Sequence, residues 1–272
     1  MGAHPWSAVR AGQWWHFLGL PLASLGRGQV AGGVGIEAVR VTAGVLVAGC
    51  CLAVAYGINA VCERSTDRSA DKNPLVAAPE LTRATVRRIF GLASVGLTVA
   101  GWLGAWALLG AAVSMMAGLV YSASAWGKRA PVLGLVGNTL IFVPLLVLLH
   151  PGGELPAACV AELGLFAALL AQNQLLHERA DVEEDAAAGS WTTARWLGSG
   201  GTTRVVAGLG GLGVAAAGLA VTSGAQVAGV AGVLGATAVG CLIMGVSPGR
   251  ARRWHRWWAL GCGVAVFVLQ RV

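Results

Sequence analysis

Two stretches of the chain place carboxylates, amides and bases at helical spacing. In the first, Asn59, Glu63, Asp67 and Asp71 recur at every fourth position, so on a helix they share one face. Arg64, Arg68 and Lys72 repeat one position further on as a parallel basic ladder, and Pro74, after Asn73, is expected to stop the helix. The second stretch repeats the spacing with Asn173, His177, Asp181 and Asp185, a likeness that hints at a duplicated helical unit. Carboxylates stacked on one face repel unless something positive sits between them. A hard divalent cation can do this, because Mg²⁺ takes one or two carboxylates and completes its octahedron with water and phosphate oxygens. Two such faces opposed across a cavity would hold metal ions bridging a diphosphate, with the basic ladder contacting its oxygens. The plain alternative is a pair of solvated helix ends with intrahelical Arg–carboxylate pairs. Two matching clusters in an acid-poor chain argue against it, because ionisable groups at membrane depth are expensive.

The elements that must position these residues follow from composition. Of 272 residues, 56% are hydrophobic, 11% charged and 41 are glycine, and mean hydropathy is +0.69. A soluble domain carries about 25% charged residues, so too little polar surface is available here, and most cytosolic enzyme classes are excluded. Ile89–Gly127 and Val205–Gly249 contain no Asp, Glu, Lys or Arg. A spanning helix needs about 20 apolar residues, so each run fits two helices joined by a tight turn. No alternation of a membrane β-barrel is present. The expectation is an all-α, polytopic membrane bundle, one domain over 1–272, with nine spans near 11–33, 37–63, 84–104, 107–126, 131–149, 155–182, 203–222, 226–247 and 254–271. No cleavable signal stands out in the first of them. That count places all the bases except Arg27, Arg40 and Arg271 on one face. The positive-inside rule then makes the N-terminus and both acidic clusters cytoplasmic, in a multi-pass protein of the inner (plasma) membrane. The net charge of +7 reads as that signal plus phosphate handling, with no nucleic-acid partner.

At the acidic clusters the sequence resembles the UbiA superfamily of intramembrane prenyltransferases. The family's first motif, Asn-x-x-x-Asp-x-x-x-Asp, corresponds to Asn59, Glu63 and Asp67. Its second, Asp-x-x-x-Asp leading into Gly-x-x-Thr, corresponds to Asp181, Asp185 and Gly189 to Thr192. A third match is Tyr121-Ser, Lys128 and Pro131-Val-Leu-Gly134, and Pro5-Trp6 with Trp14 resembles the usual start of the first helix. The likeness runs over about residues 5–200, with only hydropathy matching beyond.

The resemblance implies a nine-helix bundle around a cavity whose cytoplasmic mouth holds Mg²⁺ and diphosphate. The partners it implies are a prenyl diphosphate donor, a lipophilic or aromatic acceptor, and membrane lipids around the bundle. Departure of diphosphate would leave an allylic carbocation for the acceptor to attack. Asn59, Glu63, Asp67, Asp181 and Asp185 would lie on the metals. Lys128, with Arg64, Arg68, Lys72 and Tyr121, would contact diphosphate, and Asp71 would be a further ligand or a partner for neighbouring bases. His177, one turn before Asp181, would face the reacting carbon or the acceptor, or hold a structural hydrogen bond. Glu63 stands where the family usually has Asp, Ala60 replaces a frequent Asp, and Lys72-Asn73-Pro74-Leu75 replaces a common Arg-Pro. These departures bear on acceptor choice, and a terpene cyclase quenching the cation internally is the alternative outcome of the same site. A transporter is disfavoured, because the ionisable residues cluster at the mouth and not at midplane.

Other signals carry no such weight. Gly208-Leu-Gly-Gly-Leu-Gly213 matches a dinucleotide fingerprint, but it lies in an uncharged run and no acid follows Asp185. Trp254, His255, Trp257 and Trp258 among arginines read as an interfacial belt. His150 beside Pro151 reads as a loop residue, and the six cysteines as small buried hydrophobes.

Overall fold

The structure, a computed structural model, describes residues 6–15, 17–21, 33–67, 70, 73–123, 130–150, 152–155, 157–187, 189–219, 247, 249–251, 253–255 and 257. Among the described residues there is helix and no strand. The chain divides into two compact units, Met1–Gly127 with Leu140–Gly153, and Lys128–Thr139 with Glu154–Val272.

The first unit is built on α2, Gly33–Glu63, which follows the single turn α1, Ala11–Trp14. After α2 come the short α3, Pro74–Ala77, then α4, Thr82–Leu103, and α5, Ala105–Ala123. Helix α2 packs on both α4 and α5, and these pack on each other. The uncharged run beginning at Ile89 becomes the expected helical hairpin, and its turn is one residue long. Gly104 adopts φ 131°, ψ 179°, a region open only to glycine, while Gly104 N–H still bonds Ala100 O at 3.1 Å and Leu108 N–H bonds Gly104 O at 3.0 Å. Lipid offers no hydrophobic drive between helices, so close backbone approach holds them. At Gly118 a Cβ would stand 2.7 Å from that of Ala55, so α5 and α2 meet where neither carries a large side chain. Val47, Ala48, Cys50, Cys51 and Leu52 form the buried stripe of α2. Phe90, Trp102, Leu109 and Met116 lie exposed on α4 and α5, the surface expected against acyl chains.

Among the described residues three helices are long and apolar enough to cross a membrane, Ile36–Glu63, Pro79–Leu103 and Ala105–Ala123, close to three of the expected spans. The segment expected at 131–149 begins as α6, Leu133–Phe142, and tightens to a 3-10 helix over Val143–Val147, where Pro144 has no N–H to continue the α pattern. Within the first unit, Ser114 Oγ donates to Ile141 O at 2.6 Å, and Trp106 Nε1 donates to Gly153 O at 2.7 Å. His150 is buried, with its Nδ1 accepting from Gly152 N–H at 3.3 Å and its ring edge-on to Trp106, so it is more than a loop residue. Cys50, Cys51 and Cys159 are buried as expected, whereas Cys62 is exposed.

The second unit centres on α7, Ala157–Ala180, packed against α9, Thr193–Leu219, with the short α8, Val182–Ala187, between them in sequence. Leu175, Leu176, Val206 and Ala251 form its buried cluster. Gln172, fully buried, donates through Nε2 to Val206 O at 3.0 Å, tying the two helices inside the core. Helix α9 starts ten residues before the expected 203. The Gly-Ser-Gly-Gly stretch is crossed by a kink at Gly198 (φ 66°, ψ 174°), with Thr202 Oγ1 bonded to Gly198 O at 2.8 Å. The expected spans 226–247 and 254–271, and residues 22–32 of the first, lie almost wholly outside the described residues.

Candidate functional site

The first acidic motif sits where α2 ends. Sequence spacing predicts one helical ladder through Asp71, stopped by Pro74, but α2 stops at Glu63 and Pro74 instead begins α3. At this end the Glu63 carbonyl gathers several donors, the Thr66 hydroxyl at 3.2 Å and the Thr66 N–H at 3.0 Å among them. Asp67 keeps the register for one more turn through its N–H to Glu63 O at 2.8 Å. Asn73 does what the sequence reading left to Pro74. It is fully buried, its Nδ2 donates to Ala60 O at 2.8 Å, and its Oδ1 caps α3 by accepting from Leu75 N–H at 3.1 Å.

Asn59, Glu63 and Asp67 are thus brought onto one side of the end of α2. Asn59 Nδ2 donates to Glu63 Oε2 at 2.6 Å, and Ser122 Oγ donates to Asn59 Oδ1 at 3.4 Å, which sets the last turn of α5 beside the ladder. Half-buried Tyr121 precedes that serine. Asp67 Oδ2 is buried and, among the described residues, accepts no hydrogen bond, with an Arg10 guanidinium nitrogen 3.6 Å away. Arg10 itself stands at φ 50°, a left-handed conformation unusual for arginine. Sequence reasoning missed this pairing, because 57 positions separate the partners and no periodicity links them. Arg64 is exposed and donates to Thr82 Oγ1 at 3.0 Å, engaged at the start of α4. Arg68, Asp71, Lys72 and Lys128 lie outside the described residues.

The second motif keeps its helical register throughout. Asp181 N–H bonds His177 O at 3.1 Å and Asp185 N–H bonds Asp181 O at 2.8 Å, so the ladder runs unbroken from α7 into α8. His177 Nδ1 lies 2.9 Å from Asp181 Oδ2, both side chains being a little over one-third exposed. Helix α8 then closes on Gly189, at φ 68°, with Gly189 N–H to Ala186 O at 3.1 Å and Ser190 N–H to Asp185 O at 2.9 Å. That pair of bonds is the glycine-closed helix end which a Cβ at this φ would strain. The return strap is stitched by Arg195, which donates to the carbonyls of Ser190 and Asp185 and stacks over Trp191. Thr193 Oγ1 accepts from Val132 N–H at 3.0 Å.

Among the described residues no three His, Cys, Asp or Glu side chains converge on one point. The donors nonetheless suit Mg²⁺. Both ladders offer hard oxygen ligands in ones and twos, as this ion takes when phosphate and water complete its shell. The hydrogen-bond-free buried oxygen of Asp67 is the kind of atom a cation would satisfy.

Among the described residues the chain is helical and carries two acidic ladders at four-residue spacing. The sequence profile of the UbiA prenyltransferase family matches residues 19–269. The chain belongs to that family. No curated protein matches it. Among solved structures, a UbiA homolog from Archaeoglobus fulgidus bound to GPP and Mg²⁺ is similar at 21% identity and TM-score 0.74, covering 97% of this chain and 99% of that one. A UbiA homolog from Aeropyrum pernix K1 is similar at 16% identity and TM-score 0.67, with 95% and 98% covered. A digeranylgeranylglyceryl phosphate synthase follows at 12% identity and TM-score 0.69, with 97% and 98% covered. At these identities the likeness concerns the fold.

Proposed function

We propose that the chain is a Mg²⁺-dependent intramembrane prenyltransferase that moves an isoprenyl group from a prenyl diphosphate to an aromatic or other lipophilic acceptor. The observation that carries the proposal is the Asn59, Glu63, Asp67 ladder, in which the buried Asp67 Oδ2 accepts no hydrogen bond among the described residues. Family membership supports it, as do fold relatives bound to GPP with Mg²⁺ and to DMAPP with Mg²⁺. The family match runs across both compact units, which supports 1–272 working as a single domain.

In this reading Asn59, Glu63 and Asp67 hold metal in one unit, and Asp181 and Asp185 in the other. Mg²⁺, when bound, offsets charge developing on the departing diphosphate. Lys128, Arg68, Lys72 and Tyr121 contact the diphosphate oxygens. Arg64, which donates to Thr82 Oγ1, would have to turn to join them. His177, whose Nδ1 stands 2.9 Å from Asp181 Oδ2, faces the reacting carbon or the acceptor. Apolar helix walls keep water from the allylic cation. The distribution of bases under the nine-span reading supports a cytoplasmic N-terminus and diphosphate site in the plasma membrane.

The test is Mg²⁺-dependent diphosphate release from a panel of prenyl diphosphates of increasing length, with product analysis. Release that requires an added acceptor supports transfer. Hydrocarbon or alcohol formed without acceptor would replace transfer by cyclisation, and no release from any donor would refute the proposal.

A further inference from the structure

Glu178 is a buried acid with no part in the ladders. It lies one position after His177 and three before Asp181, and only 6% of it is exposed. Its Oε2 accepts from the backbone N–H of Ala194 at 3.0 Å, and its Oε1 accepts from Gln174 Nε2 at 3.2 Å. Ala194 is the second residue of α9, so its N–H is one of those a helix start cannot satisfy from within. A carboxylate supplied by α7 fills that need and also meets the favourable end of the α9 dipole. Everything between Glu178 and Ala194 is the strap carrying Asp181, Asp185 and the Gly189 turn. Both ends of the strap are therefore pinned by one side chain, while Arg195 ties its middle to the carbonyls of Asp185 and Ser190.

From this geometry we infer that Glu178 is a positioning residue, which fixes the strap so that Asp181 and Asp185 present their carboxylates to the metal. The inference rests on the metal role proposed above for those two aspartates. Glu178 is not itself a ligand, since each of its oxygens already accepts a bond inside the fold. What matters is the reach of the side chain, because the bond to Ala194 spans from one helix to another. Groups that orient metal ligands typically change metal affinity or activity by about 10–100-fold when lost.

Two conservative variants separate reach from charge. Glu178→Asp keeps the carboxylate but falls short of Ala194 by one methylene. Glu178→Gln keeps an oxygen at full reach and gives up the charge, with the Gln174 amide turning to accept. The readout is Mn²⁺ binding to the full-length chain in detergent, followed by electron paramagnetic resonance with inorganic diphosphate present. Thermal midpoints are recorded in parallel. The expected result is Mn²⁺ binding weakened about tenfold in Glu178→Asp and by less than about threefold in Glu178→Gln. Glu178→Asp binding Mn²⁺ like the parent, whatever its thermal midpoint, would overturn the inference. So would Glu178→Gln binding as weakly as Glu178→Asp, because charge and not reach would then be responsible. Should Glu178→Asp fail to fold, Gln174→Leu removes one of the two donors, and unchanged Mn²⁺ binding there counts against the clamp. Turnover with prenyl diphosphates is measured separately. Its absence in the parent, alongside the expected Mn²⁺ pattern, would refute the transferase and leave the positioning role standing.

Discussion

The two acidic motifs share a sequence spacing and differ in how their backbones are held. The first ends its helix at Glu63 and continues as a turn, with its carboxylates facing an Asn59 amide and a distant Arg10. The second is helical through Asp185, closed by a glycine turn and fastened by Arg195 and Glu178. Identical periodicity thus yields one motif fastened by side chains from elsewhere in the fold and one whose Asp67 carboxylate meets Arg10 at 3.6 Å. Preorganised charge costs nothing to arrange when a ligand arrives, so the second motif is the fixed partner and the first the adjustable one.

The largest effect should come from removing a ligand on the fixed side. Asp181→Ala is expected to lower Mg²⁺-dependent diphosphate release by more than about a hundredfold, beyond the usual cost of losing an orienting group. Arg195→Ala leaves the acids in place but frees the Asp185 and Ser190 carbonyls. It should raise the Mg²⁺ concentration for half-maximal rate about tenfold, with a smaller change in the maximal rate. Gly189→Ala forces a Cβ into the left-handed region and should cost about 1–2 kcal/mol, seen as a lower thermal midpoint in detergent. The smallest change is expected at Arg10→Ala. A partly exposed pair at this distance contributes at most about 1 kcal/mol, so the thermal midpoint should barely move. If Arg10→Ala proves as damaging as Arg195→Ala, the contrast between the motifs is wrong.

Much of this was legible in the sequence. Uncharged runs gave α4 and α5 to within a few residues, because lipid imposes a length and forbids charge over it. The ladders were found because carboxylates are scarce here, and their spacing survives in Asp181 and Asp185. What escaped notice depends on contacts distant in the chain or on backbone detail. Arg10 meets Asp67, and Glu178 meets Ala194, through tertiary approach that no local period announces. Helix α2 ends early where the distant Asn73 amide takes the Ala60 carbonyl, and α9 starts early across a kink that Gly198 tolerates.

The single-residue reversal at Gly104 has a consequence for biogenesis. With a single residue connecting α4 and α5, the two helices are expected to enter the bilayer as one hairpin. A tag or glycosylation site inserted at Gly104 would therefore interfere with assembly itself, and topology at that end of the hairpin is best read from neighbouring loops.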